Sequence, residues 1–394
     1  MKSALTCSYH DFSTRYGMTM MNSIPCMIMR GGTSRGPFLR MKDLPDNQAA
    51  QAEILISLMG SGHALQVDGI GGGDPLTSKV AIVERSSHPE ADVDYLFAQV
   101  DVLNRRVDFN PNCGNMLSAV GPYALETGLV ALQEGMTTVR VRNLNTQRLI
   151  ECHVPTPGGQ VAYEGDTTIS GVPGCAAGIQ LGFLDIVGTK TGALLPTGNA
   201  IDTIDGLQVT CLDAATPIMI VNAADLGLSG QESPAELDAH SAMLERLESV
   251  RREAGLRMGL GDVSQSVLPK PVLVSAPIDD DSTLCTRYFV PHRCHKAIAV
   301  TGAIAVATAV SVPGTVANRI VVEAGKLEVD GQLSQVSLEH PSGFIDLDVE
   351  HRNGNPVDIA RVSLIRTARK IMSGTLFYSL PSAPGQDMLT SRAS

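Results

Sequence analysis

The chain has 394 residues, a formal charge of −11, 43% hydrophobic and 18% charged residues, and no tryptophan. That length supports two ordinary domains with sizeable cores, and the acidic balance opposes a sequence-independent grip on phosphate backbones. With only 4% aromatic residues the chain also lacks stacking platforms for single strands, so no nucleic-acid partner is expected.

The first twenty or so residues read as a loose tail, or as an upstream start ahead of Met20 or Met21; they lack the apolar core of a secretion signal. IPCMIMR (24–30) reads as a strand entering the turn GGTSRG (31–36), and NQAAQAEILISLMG (47–60) as a helix. A glycine-rich loop, DGIGGGDPLTS (68–78), opens onto the β-branched strand KVAIV (79–83). Strands YLFAQVDV and RVDF precede PNCGNMLSAVG (111–121), where a helix is expected to run to about Glu126 and stop at Gly128. TTVRVRN, RLIECHV and QVAYEG complete this part as strands.

The order then repeats. LQVTCLD and PIMIVNA read as strands, PAELDAHSAMLERLESVRREAG (234–255) as an amphipathic helix, and PVLVSA and RYFVP as strands. A helix is expected to begin near CHKAIAVTGAIAVATA (294–309), followed by strands RIVVEAG, KLEVDG and FIDLDVE. MGSGHALQ (59–66) and MGLGDVSQ (258–265) share MGxGxxxQ, and each is followed by a lysine opening an apolar strand, Lys79 and Lys270. Cys113 and Cys294 both stand eight residues before a helix glycine, Gly121 and Gly302. Three matches in one order point to a duplication, with a ligand cleft between the copies.

No apolar run approaches the roughly 18 residues of a membrane span, so no membrane partner is expected. The eight cysteines are scattered without a CxxC pair, which excludes the usual zinc spacing and suits free thiols in a cytoplasmic setting. GIGGGD (69–74) precedes a strand rather than a helix, the wrong context for a dinucleotide site. HRCH (292–295) lacks a fourth metal ligand. No metal and no cofactor are expected.

Four groups of residues carry candidate chemistry. Lys79 sits where the glycine-rich loop enters a buried-looking strand. A lysine beside apolar surface is costly to keep charged, which suits a general base, although a snorkelling lysine at a strand end reads the same way. Cys113 stands at a helix N-terminus, where unpaired N–H groups and the helix dipole favour thiolate; a small buried cysteine fits equally. Asn112 and Asn115 beside it cap the helix or hydrogen-bond a carboxylate. Arg30, Thr33, Ser34 and Arg35 place cations, hydroxyls and open N–H groups on one turn suited to carboxylate binding, and Ser78 adjoins Lys79. His292, Cys294 and His295 occupy the counterpart helix start, with His292 taken as the substrate-binding candidate.

MRGGTSRG, DGIGGGDPLTSKVAIV, ADVDYLFAQV, PNCGNMLSAVGPYA, GLGDVSQSVLPKPVLV and ARKIMSG, spread from about Ile24 to Tyr378, resemble the PrpF family. That family includes methylaconitate isomerase, methylitaconate isomerase and 4-oxalomesaconate tautomerase, and GGGDPLTSK with PNCGNM resembles the last branch most. The resemblance implies an α/β (α+β) diaminopimelate-epimerase-like fold of two pseudo-symmetric halves, each a central helix wrapped by a curved β-sheet. It implies a catalytic lysine and cysteine at Lys79 and Cys113. It also implies a cofactor-independent 1,3 proton shift on a small unsaturated di- or tricarboxylate.

The expected layout is a tail over 1–22, a first half over 23–190 and a second over 191–394, whose C-terminal segment is free to return to the first. A homo-oligomer is compatible with this reading. The alternatives are a methylaconitate cis-trans isomerase, a racemase using Cys113 and Cys294 as paired thiols, and a non-catalytic carboxylate-binding accessory protein.

Overall fold

The protein is described by a computed structural model covering residues 21–290, 292–327 and 334–380; the N-terminal tail and most of KLEVDG fall outside these residues. The chain opens with a hairpin of β1 (Asn22–Gly31) and β2 (Ser34–Arg40) and continues through α1 (Gln48–Met59) to β3 (Lys79–Arg85), β4 (Val93–Val100) and the short β5 (Val107–Asp108). Asn47 caps α1, its side chain accepting the N–H groups of Ala49 and Ala50. Next come α2 (Gly114–Leu117), α3 (Val120–Glu126), β6 (Gly135–Asn143), β7 (Arg148–Thr156) and β8 (Gly178–Leu184).

The second stretch holds β9 (Asp202–Ile204), β10 (Leu207–Ala214), β11 (Thr216–Asn222), α4 (Pro234–Ala239), α5 (Ser241–Arg257), β12 (Lys270–Ser275) and β13 (Leu284–Tyr288). It closes with α6 (Val300–Ser311), α7 (Val316–Glu323), β14 (Gln335–His340), β15 (Gly343–His351) and β16 (Ile359–Tyr378).

Strand pairing shows the duplication directly. β1–β2 is antiparallel, β2–β3 parallel, β3–β4 antiparallel, β4–β6 parallel, and β6–β7 and β7–β8 antiparallel. From β10 the same relations recur: antiparallel to β11, parallel to β12, antiparallel to β13, parallel to β14, then antiparallel to β15 and β16. β16 spans both halves, pairing with β8 and β15 along its first part and with β1 along its second.

Residue alternation sorts the two faces of this sheet. Ala81, Val83, Phe97, Val272, Val274 and Tyr288 face a shared core around α2, α3 and α6. Val80, Ile82 and Ala98 turn outward under α1, and Val221, Leu273 and Phe289 turn outward under α5. Met243, Leu247, Val250 and Ala254 form the buried stripe of α5 at helical spacing. Among the described residues no single helix is long and apolar enough to cross a membrane, although α6 and α7 pass that test as a pair bent by 63°.

Several sequence expectations need correction. QVAYEG (160–165) is not a strand. RIVVEAG lies in α7, because Thr315 caps the helix and Val316, Ala317, Ile320 and Val321 bury one side of it, overriding the β-branched residues. The 234–255 helix breaks at His240, whose ring nitrogen caps α5 by accepting the Met243 N–H. The central helix of the second half starts at Val300, so Cys294 stands ahead of it rather than at its first turn.

The N-termini of α2 and α6 meet at Gly114. A Cβ there would lie 2.7 Å from the Val300 Cβ and 2.9 Å from both its methyl groups, so no rotation of this stiff side chain clears it. Gly114→Ala should therefore cost about 1–3 kcal/mol, read as a lower urea midpoint at unchanged slope. An unchanged midpoint would show that the two helices separate freely.

Candidate active site

Lys79 is the first residue of β3 and points to the inner face with Ala81. It is only 9% exposed, and its ammonium lies 5.8 Å from the centre of the Phe97 ring. Nζ reaches Ser34 Oγ at 3.1 Å and Cys113 Sγ at 3.4 Å. β2 passes tightly beside it at Gly36, where a Cβ would come within 1.8 Å of the Lys79 carbonyl oxygen.

Cys113 is the N-cap of α2, with an extended backbone and a sulfur that accepts the Met116 N–H at 3.5 Å. It is 7% exposed. The thiol therefore sits at the start of the broken α2–α3 helix, facing a lysine.

Thr33 and Asn115 adjoin this pair, the Asn115 amide donating to Thr33 Oγ1 at 3.0 Å. Asn112 is committed next door: its carbonyl oxygen accepts from the Asn143 amide at 2.6 Å, and Asn143 in turn holds the N–H groups of Asn145 and Thr146. Asn112 thus fixes the approach to Cys113.

Four of the sequence candidates do not join the group. Arg30 and Arg35 are direct cross-strand partners in the β1–β2 hairpin. They share the face opposite to Ser34, Gly36 and Phe38, because strand side chains alternate. Arg30 instead donates to the Gly32 and Thr367 carbonyls and to Thr367 Oγ1, stapling the turn to β16. Ser78, one residue from Lys79, is fully buried and accepts from the Gln66 amide, whose carbonyl oxygen holds the N–H of Gly73; it anchors the glycine-rich loop. The His292 side chain is 61% exposed, with Nδ1 3.9 Å from a carboxylate oxygen of Glu248 on α5.

His295, rather than His292, is the histidine that turns inward. Its Nδ1 accepts the Ala297 N–H at 2.9 Å, so the neutral ring carries its proton on Nε2. Its ring stands edge-on to Tyr288, with centroids 6.2 Å apart. Burial, together with the charges of Lys79 and Lys270, holds its pKa below the ordinary value. HRCH drew attention to the right segment, but nothing local says which histidine turns inward.

Cys294 turns the other way, into the outer core under α5, and burial pushes its thiol up to about 12. The α6 position matching Cys113 is the N-cap Ala299. The paired-thiol racemase reading therefore fails on geometry.

Beyond His295 stands His340, whose pKa burial, Arg366, His295 and Arg287 lower to about 4. The folded ring stays neutral where the unfolded one binds a proton. The resulting stability, roughly 3 kcal/mol, is complete above pH 6.5 and is lost as pH falls towards 4. His340→Gln should flatten the urea midpoint between pH 7 and 4.5 relative to the wild type. An equal acid-induced fall in both proteins would exclude His340 as a source of it.

No group of three or more His, Cys, Asp or Glu side chains placed to hold a metal occurs among the described residues. A cavity of about 980 Å³ lined by Ser170, Asp279, Thr283, Asp346 and Arg366, among others, lies apart from Lys79 and Cys113.

The pattern defining the family described as PrpF protein matches residues 21–379. A protein of Escherichia coli (strain K12) named for isomerase activity without a substrate, YbhH, is 52% identical over 357 residues, covering 91% of this chain and 99% of its own. The 4-oxalomesaconate tautomerase of Pseudomonas putida (strain KT2440) is 47% identical, over 90% of this chain and 95% of its own. Among solved structures, methylitaconate-delta-isomerase superposes with a TM-score of 0.82 at 34% identity, covering 92% of this chain and 98% of that one.

Proposed function

This chain belongs to the PrpF family and is an isomerase, and on that premise we propose that Lys79 and Cys113 move a proton across an unsaturated polycarboxylate. The observation that carries the reading is the 3.4 Å contact between Lys79 Nζ and Cys113 Sγ, with Ser34 Oγ on the same amine. Lys79 as the free amine takes a proton from a carbon beside a conjugated carbonyl or carboxylate, leaving a delocalised enolate. The Cys113 thiol gives its proton to the other end of the conjugated system, which moves the double bond or forms an enol. The substrate has then lost one proton and gained one, and the enzyme is left as ammonium and thiolate. Direct transfer from Nζ to Sγ restores both groups.

Charge developing on the enolate is met by the Lys79 ammonium, the His295 Nε2–H and the start of α2. Ser34, Thr33 and Asn115 supply hydroxyl and amide groups that orient the substrate carboxylates. The chemistry draws on no cofactor or metal, and a cytoplasmic metabolite is a suitable substrate.

For the substrate we favour 4-oxalomesaconate. The relatives named for it, including the (4E)-oxalomesaconate Delta-isomerase of Novosphingobium sp. (strain KA1) at 45%, are nearer than those named for 3-methylitaconate at 35% and 2-methylaconitate at 33%. Conversion rates with 4-oxalomesaconate, 2-methylaconitate, methylitaconate and trans-aconitate test this choice. The expected order places kcat/KM for 4-oxalomesaconate first; a higher value for 2-methylaconitate would replace it with the methylaconitate reading. Binding of these acids without conversion of any would support the accessory-protein reading instead.

A further inference from the structure

Lys270 occupies in the second half the position that Lys79 occupies in the first. Each is the first residue of a strand with a parallel neighbour on one side and an antiparallel neighbour on the other. Two residues on from each lysine, Ala81 pairs with Phe97 and Val272 with Tyr288, and all four side chains face the shared core. Alternation therefore turns Lys270 to the same inner face as Lys79. The charges of both lysines reach His295, whose ring stands edge-on to Tyr288, the cross-strand partner of Val272.

The surroundings of Lys270 differ from those of Lys79 in an informative way. The loop before Lys79 is held by the neutral Gln66. The shorter loop before Lys270 is held by the fully buried Arg251, which donates to the Val263, Ser266 and Leu268 carbonyls. The Arg251 charge is already matched by a two-point pair with Glu248, at 2.6 and 2.9 Å. Burial and Arg251 push the Lys270 ammonium down to about 8, and no carboxylate offsets them among the described residues. A half-buried cation with no carboxylate beside it is stabilised by an incoming anion.

We propose that Lys270 is a specificity-determining cation that binds the substrate carboxylate reaching into the second half, and so sets a preference for tricarboxylates over dicarboxylates. It is not a second base with its own acid: the N-cap of α6 is Ala299, where the first half has Cys113 at the N-cap of α2. Proton transfer thus belongs to one half and charge recognition to the other. The inference rests on the polycarboxylate reading of the site.

The test compares wild type, Lys270→Met and Lys270→Arg in three measurements. By calorimetry, the Met variant should bind propane-1,2,3-tricarboxylate at least ten times more weakly while succinate affinity changes less than threefold. In the isomerisation assay with 4-oxalomesaconate its KM should rise by a similar factor and kcat fall far less, and Lys270→Arg should recover most of the tricarboxylate affinity. The urea midpoint of the Met variant should equal or exceed that of the wild type, since an unmatched buried charge is removed.

Equal weakening for both ligands, unchanged tricarboxylate affinity, or a collapse of kcat at constant KM would each overturn the proposal. A lower midpoint with unchanged affinity would make Lys270 a structural residue and overturn it too. Wild-type protein that converts no polycarboxylate would refute the isomerisation reading, while the calorimetric comparison would still decide for or against Lys270.

Discussion

Lys79→Met should lower the isomerisation rate by about 10³-fold while leaving the fold intact, the scale expected when a positioned general base is removed. Methionine keeps an unbranched apolar stem beside Phe97 and removes a polar group that is only 9% exposed, so the urea midpoint should stay level or rise. The loss should fall on kcat and on kcat/KM alike, because the amine acts on the reacting carbon. A variant with full activity would remove Lys79 from the mechanism, and one with a collapsed midpoint would show that the lysine is needed for folding.

Cys113→Ser is the second large effect, and it separates two roles. Serine is a good N-cap, so the Met116 N–H keeps an acceptor and the α2 start should hold. A hydroxyl is a far weaker acid than a thiol, so reprotonation should slow by about 10²- to 10³-fold. Lys79 still removes protons in this variant. In deuterated water, deuterium incorporation into recovered substrate should therefore rise relative to product formation. An unchanged rate with an unchanged isotope pattern would leave Cys113 only a positioning role.

The two residues that carry this account were legible because each sits in a local pattern with a physical reading. Lys79 stands at a loop-to-strand junction, and Cys113 at a polar helix start. The duplication was legible for the same reason, since MGxGxxxQ and the strand-opening lysines are local. What failed depended on long-range geometry. Arg30 and Ser34 share one turn in the sequence, yet hairpin register puts them on opposite faces. His292 and His295 are three residues apart, and only packing against Tyr288 and α5 decides which one turns inward.

The start of the second central helix was misplaced because Cys294 matched Cys113 in spacing to a glycine, whereas the chain bends at Lys296 and Ala297 and enters the helix only after Ala299. β16 was missed for another reason. Its second part, from Arg369 to Thr375, is exposed and polar enough to lack any alternating signal, and pairing with β1 makes it a strand.

Proton exchange read by NMR in deuterated water, with 4-oxalomesaconate as substrate and wild type and Lys79→Met at equal concentration, decides whether Lys79 takes the substrate proton. A carbon-bound proton of the substrate should be replaced by deuterium in the wild type and retained in the variant. Exchange at the same rate in both proteins would contradict that role of Lys79.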